Sequence, residues 1–520
     1  MEKQLTPEFD GPTVFGHPKG LMTLFFTEMW ERFSYYGMRA LLILFMTTAI
    51  VDGGLGFDDK TSGAIYGLYT MGVYLLALPG GWLADRLFGL KKSVWYGGII
   101  IALGHFTMAL PGLISLGQES NTVKDSLSSL DTNSFFLGLV LIVLGTGLLK
   151  PNISSIVGQL YAPGSSKRDA GFSIFYMGIN IGALIAPIAC STLAAYDWHL
   201  GFGLAGFGMV LGLIQYKLTN KSLDGLGETP VIESPEEIES NKKLKSMVTW
   251  IGSVLLAVVV FLFSGVISID VSLIAGVSGY VIAIVAFGYL GYVMAFGGLS
   301  KPDRNKVGVI TILFLFSAMF WSGFEQAGST LNLFAERFTD RTVFGWEIPT
   351  GYFQSINSMF IIIFAPIFGA MWVWLGRRNL EPSSPLKFTF GLLLLGVGFF
   401  VMYFAAKIAA SGDLAAPTWL ILTYMLHTFG ELSLSPVGLS LVTKLAPKAY
   451  GGQMMGIWFL SVALGNLIAG LIAGEASGGT EEALAQMPDQ YMLIVYTVVG
   501  SAILLFLLKP VIRKMMGEVH

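Results

Sequence analysis

Residues 28–39 read EMWERFSYYGMR and place Glu28, Glu31, Arg32 and Arg39 inside an otherwise apolar stretch long enough to cross a membrane. A charge at the centre of a spanning helix costs about 2.5–3.5 kcal/mol on insertion scales, so it persists where it pairs or lines a wet cavity. On a helix, Glu28, Glu31, Arg32, Tyr35 and Arg39 share one stripe, with Tyr36 at its edge. The stripe is therefore expected to face the interior of the helix bundle. A plainer reading of the same spacing has Glu28 merely neutralising Arg32 at i, i+4. Three more charges sit in apolar stretches: Lys150 in GTGLLKPN, Glu325 in FWSGFEQAGS and Glu431 in FGELSLSP. Glu28, Glu31, Arg32, Lys150 and Glu431 together offer cations for a carboxylate and a carboxylate for an amine. That set suits a zwitterion several ångströms long and is not needed by an uncharged sugar.

Other reactive residue types give less. His427 stands one turn before Glu431, which allows either a titrating pair or a packing histidine; His105 also lies within a span. Trp321 and Trp458 are able to wall a side-chain pocket, although most membrane tryptophans sit at interfaces. GGWLADRLFGLKKS (80–93) lacks the spacing of a phosphate loop. Its Asp85 and Arg86 beside glycines suit a tight turn with a gating or stabilising role. There is no H-E-x-x-H metal motif and no nucleophile–base set, so the expectation is no enzyme, no metal and no cofactor. The single cysteine, Cys190, leaves no intramolecular disulfide and is expected to be inert packing.

The elements that must position these charges are membrane helices. Of 520 residues, 54% are hydrophobic and only 12% charged, against about 25% charged in a soluble domain. A net charge of −3 without a basic tail speaks against nucleic acid. The polar N-terminus lacks the apolar core of a signal peptide. A spanning helix needs about 20 mostly apolar residues. Fourteen such stretches run near 21–50, 61–87, 93–115, 134–160, 170–193, 201–219, 246–268, 272–297, 307–336, 349–375, 386–409, 416–445, 451–474 and 489–512. Lys and Arg concentrate after even-numbered spans (Arg86, Lys91, Lys92; Lys301, Arg304, Lys306; Arg377, Arg378; Lys509, Arg513, Lys514), while the alternate loops hold few, among them Lys60 and Lys124. The positive-inside rule then puts both termini in the cytoplasm.

The chain also repeats. IFYMGINIGALIA (174–186) aligns without gaps on IWFLSVALGNLIA (457–469), at an offset of 283. Pro151 and Ala162-Pro163 face Pro436 and Ala446-Pro447 at offsets of 285 and 284, and Gly81…Lys91-Lys92 faces Gly369…Arg377-Arg378 near 287. Three matches in register point to a duplicated six-helix unit with both copies starting from the same side. That parallel repeat is the arrangement of major-facilitator carriers, whose halves rock around a central site. The expected organisation is an N-terminal six-helix bundle (1–219), a flexible cytoplasmic linker (220–245), an extra helical hairpin (246–298) and a C-terminal six-helix bundle (299–520). The expected fold class is thus an all-α polytopic membrane protein of major-facilitator fold.

These motifs resemble the proton-dependent oligopeptide transporter (POT/PTR) family in its bacterial form. EMWERFSYYG (28–37) looks like that family's ExxERFxYYG motif, FSIFYMGINIGAL (172–184) its fifth-helix signature, and GGWLADRLFG (80–89) its second–third helix loop. GLLKPN, FWSGFEQ and GELSLSPVGL match in order and spacing, so the resemblance covers essentially the whole chain. It implies roles residue by residue. Glu28, Glu31, Arg32 and Lys150 would couple protons. Arg32, Lys150 and Tyr36 would hold a peptide carboxylate, and Asn180, Asn357 and Glu431 its amino terminus. Tyr35, Tyr74, Trp321 and Trp458 would line side-chain pockets, and Ser435 would join the peptide site. Arg39 and Glu325 would form an outer gate. Animal members carry a histidine beside a tyrosine on the second helix; here Tyr66 is followed by Gly67, so coupling would rest on the carboxylates. The implied function is proton-coupled symport of di- and tripeptides across a bacterial cytoplasmic membrane, with peptides, protons and membrane lipids as partners. The alternative is a family member carrying another small anion or amino-acid-like substrate; Glu431 speaks against an anion alone.

Overall fold

A computed structural model describes residues 13–115, 128–162, 165, 167–229, 235–263, 270–476 and 480–517. Lys124, Pro163, linker residues 230–234 and the end of the seventh span (264–268) lie outside them. The chain opens with an antiparallel pair, β1 (Thr13–Val14) and β2 (His17–Pro18), turned through Phe15 and Gly16. Helices α1 (Gly20–Thr47), α2 (Asp59–Leu75), α3 (Ala77–Leu83), α4 (Leu90–Ser115), α5 (Ser129–Gln159), α6 (Lys167–Ala194) and α7 (Trp198–Thr219) follow. Then come α8 (Pro235–Phe263), α9 (Val271–Phe296), α10 (Lys301–Phe324) and α11 (Thr330–Phe338), and a second small pair, β3 (Thr342–Val343) with β4 (Trp346–Glu347). The chain ends with α12 (Ser355–Arg377), α13 (Ser384–Ala410), α14 (Thr418–Leu445), α15 (Gly451–Ala476) and α16 (Glu481–Met516).

Among the described residues, eleven helical segments are long and apolar enough to cross a bilayer. In hydrocarbon every backbone polar group must be satisfied within the segment, which leaves helices as the spanning form for such sequences. α1 falls outside those eleven because Glu28, Glu31, Arg32 and Arg39 interrupt it. Two expected single spans are broken. The second runs as α2, α3 and a π-turn over Ala84–Phe88, stopped by Gly89 at a φ of 76°. The ninth breaks into a 3-10 turn over Glu325–Gly328 between α10 and α11. The last span, expected over 489–512, is a 36-residue helix that overshoots at both ends.

The chain divides into two compact units, the first comprising Met1–Leu41, Ile50–Leu55 and Leu75–Asp270, the second Leu42–Ala49, Gly56–Tyr74 and Val271–His520. In the first unit, α6 presents a stripe of small residues to α1: Gly178, Gly182, Ala186 and Cys190. A Cβ at Gly182 would stand 2.2 Å from the Met29 carbonyl oxygen, and one at Gly37 would stand 2.5 Å from the Cys190 sulfur. Small residues at i, i+4 let two membrane helices approach to backbone contact. Cys190 is buried there, as the inert packing expected of it. α3 meets α5 the same way, with Gly80 against the Gly147 carbonyl.

The linker departs from the flexible segment expected. Asn220–Leu223 form a 3-10 turn, and residues up to Thr229 lie on the α3–α4 connection. The Lys91 ammonium donates to Glu228 at 2.7 Å, the Lys91 amide to the Gly227 carbonyl at 3.0 Å, and the Gly227 amide to Gln159 at 2.9 Å. The Lys91 hydrogen bond holds the Glu228 carboxyl below the usual carboxylate range. From Pro235 the chain is already helical. A run of turn residues with a charged partner across the connection is therefore docked where composition alone suggested a free tether.

In the second unit, α2 crosses α15 at Gly63 and Gly67 against Gly470, where a Cβ on Gly63 would fall 2.4 Å from the Gly470 carbonyl oxygen. The Arg337 guanidinium of α11 grips Asp59 at the start of α2 with both ends of its fork, each at 2.7 Å.

Two outcomes follow. Gly182→Leu should drive α1 and α6 apart and lower the midpoint of thermal unfolding, overpacking costing about 1–3 kcal/mol. Gly203→Ala, whose Cβ would sit 3.6 Å from Ala109, should leave it unchanged. The Glu228 carboxyl is depressed in the folded state, so its contribution is present above the ordinary value of 4.5 and is lost as pH falls through the folded value. Protease protection of residues 224–229 should hold at neutral pH, fade in acid, and be lost at neutral pH in Glu228→Gln. The effect on global stability should stay under about 1 kcal/mol for so exposed a pair.

Candidate functional site: two half-sites of buried charge

The first unit gathers most of the expected charges around Arg32. Its Nε lies 3.1 Å from a Glu28 oxygen and also bonds Glu31, so both carboxylates share one edge of the guanidinium. Glu28 and Arg32 are 3% exposed and Glu31 is 0% exposed, so the cluster lies away from solvent and lipid. Among the described residues, one oxygen on each glutamate and the Nη2 of Arg32 have no hydrogen-bond partner. A buried polar group left unmatched costs about 1–3 kcal/mol. The Arg32 guanidinium also lies over the Tyr35 ring at 5.2 Å, and Arg39 over Tyr36 at 5.7 Å. Lys150 of α5, half-buried just before Pro151, is within electrostatic reach of Glu28. On α6, Asn180 is buried and donates to the Tyr176 carbonyl at 3.0 Å. Gly182, two residues on, closes on the Arg32 Cβ.

The second unit centres on Glu431 of α14. The Asn357 amide of α12 donates to Glu431 at 3.2 Å and to Thr428 at 3.0 Å, and the Thr428 hydroxyl donates to the Tyr424 carbonyl at 2.7 Å. Thr428 and Glu431 stand three residues apart on one face of α14, so Asn357 bridges adjacent positions. The break after α10 is tied to the same helices. The Ala327 carbonyl, freed from the helical ladder, accepts from Gln354 at 2.6 Å and from the Tyr424 hydroxyl at 3.3 Å. Glu325 lies within that break and is buried.

The remaining expected residues have separate surroundings. Trp321 packs edge-on against the stacked rings of Phe320 and Phe324, with Gly465 beneath its Cβ. Trp458 is buried in a notch opened by Gly438, against Phe388. Ser435 is half-buried one turn beyond Glu431, and Tyr74 is half-buried at the end of α2. His427 packs on Gly398 and on Phe399 at 4.9 Å, on the face of α14 that meets α13, so it serves packing. His105 is buried against Gly206. Thr428, Gln354 and Tyr424 were not singled out from the sequence. The one available signal was a hydroxyl three residues before a membrane carboxylate.

Helices carrying buried charges of both signs, on a repeat of six, define a carrier of the major-facilitator type. The model of the family described as PTR2: POT family matches residues 91–488. A peptide transporter, YePEPT, of Yersinia enterocolitica is 42% identical over 512 residues, covering 97% of this chain and 96% of that protein. A di-/tripeptide transporter of Lactococcus lactis is 36% identical, covering 98% of both. Among solved structures, a mutant of a peptide transporter POT in complex with alafosfalin superposes with a TM-score of 0.84 at 40% identity, covering 97% of each chain. The chain belongs to the POT family.

Thr428→Val keeps the shape of the residue and removes one of the two acceptors that fix Asn357. Net hydrogen-bond worth of about 0.5–1.5 kcal/mol predicts a rise of roughly 2- to 13-fold in the KM for a dipeptide. Initial-rate uptake against concentration checks it.

Proposed function

We propose that this protein imports di- and tripeptides together with protons, as a secondary active carrier in a bacterial cytoplasmic membrane with both termini cytoplasmic. The observation that carries the reading is the guanidinium of Arg32 shared by two buried carboxylates. With Glu28 and Glu31 both ionised, Arg32 is occupied on one edge. A proton taken by either glutamate withdraws that claim, and Arg32 with Lys150 and Tyr36 can receive the peptide carboxylate. The amino terminus then goes to Glu431, whose orientation Asn357 fixes, with Asn180 contributing. Tyr35, Tyr74, Trp321, Ser435 and Trp458 shape the side-chain subsites. Residues 1–219 and 299–520 act as the two six-helix repeats, 220–245 as the linker and 246–298 as an added hairpin. Arg39 and Glu325 serve as the outer gate.

The coupling has adequate driving force. One proton entering down one pH unit and 100 mV supplies about 1.4 plus about 2.3 kcal/mol. For a peptide neutral overall, that sustains roughly 500-fold accumulation.

Two substitutions separate the roles. Glu31→Gln should abolish gradient-driven accumulation while leaving counterflow exchange of peptide, measured in proteoliposomes. Gradient-driven accumulation at the wild-type level by that variant would sink the assignment. Glu431→Ala should weaken binding of a free dipeptide more than that of its N-acetylated analogue; equal losses would contradict a role in holding the amine.

A further inference from the structure

We propose that the C-terminal end of α16 is a binding site for the headgroup of an anionic glycerophospholipid. From Tyr491 to Leu508, eighteen residues carry no charge, a rise of about 27 Å, close to the hydrocarbon thickness of about 30 Å. Lys509 therefore falls at headgroup level. Val498, Ala502, Leu505, Ile512 and Met516 turn α16 into the protein. The outward side carries Ile503, Phe506 and Leu507, each more than half exposed, and continues to the exposed Arg513 and Lys514, while half-buried Lys509 stands one turn after Leu505 beside the inward stripe. At this end lies an open groove of about 690 Å³ whose lining mixes apolar Phe506, Leu507 and Pro510 with all three cations.

The charges match one class of occupant. Lys387 has Glu381 and Lys306 has Asp303, but among the described residues no carboxylate pairs with Lys509, Arg513 or Lys514. Lys509 and Arg513 repel each other at i, i+4. The helix dipole favours cations in the last turn, but it explains neither Lys509, two turns from the end, nor the groove. A phosphodiester would neutralise the repulsion, and its acyl chain would continue along Leu507, Phe506 and Ile503. A basic groove at the membrane boundary with an adjoining apolar lane is the arrangement that holds anionic lipid.

Native mass spectrometry of the full chain, titrated with phosphatidylglycerol or with phosphatidylcholine of the same acyl chains, tests this. The wild type should bind phosphatidylglycerol more tightly. K509Q/R513Q/K514Q should lose at least about tenfold of that affinity, each charge near an anionic surface being worth about fivefold, and its phosphatidylcholine binding should not change. If the triple variant does not fold, R513Q alone should lose about fivefold. Equal phosphatidylglycerol affinity in the variant, or no preference for it in the wild type, overturns the proposal. So does displacement of the lipid by inorganic phosphate at equal concentration, which would mark a site for phosphate alone.

Discussion

Everything in the first unit depends on keeping one guanidinium and two carboxylates out of water and out of lipid. Burying an unpaired charge costs several kcal/mol, and a buried pair recovers that only with close geometry. The contacts between Arg32 and both glutamates supply the geometry. They hold only while α1 faces protein along this stripe, and the small residues of α6 provide that face. The pairing is also incomplete: two acceptors compete for one edge of the cation and other polar atoms stay unmatched. A fully matched triad would be inert. A single proton on either glutamate would change the balance of this one.

The second unit solves a different problem. Glu431 accepts from the Asn357 amide, which holds its carboxylate in one orientation on α14. The hydroxyl of Thr428 and the carbonyl of Ala327 fix the helices that carry this pair, and the latter bond lies inside the break that holds Glu325. A change in the path of α10 and α11 is therefore felt by α12 and α14 through Gln354 and Tyr424. Glu431 and the expected gate residue Glu325 sit on one hydrogen-bonded frame.

Much of this was legible in the sequence because the bilayer imposes a simple rule. Charges that break an apolar run stand out, and Glu28, Glu31, Arg32, Lys150, Glu325 and Glu431 were each visible this way. The fold followed from the spans and from the parallel repeat. What stayed hidden depends on partners far apart in the chain. The break at Glu325–Gly328 is stabilised by Gln354 and Tyr424, and neither departs from an ordinary helix sequence. Thr428 resembles any hydroxyl bonding back to its own helix until Asn357 is seen beside it. The linker read as free because its anchor, Lys91, lies more than a hundred residues earlier.

The central claim is that a proton gradient drives peptide uptake. Its most direct test is accumulation of labelled dialanine in proteoliposomes under an inward proton gradient or an inward sodium gradient alone. Accumulation is expected with protons only, blocked by excess tripeptide but not by free alanine. No accumulation under either gradient, in protein shown to be folded, would contradict it and point to a non-peptide substrate on the same fold.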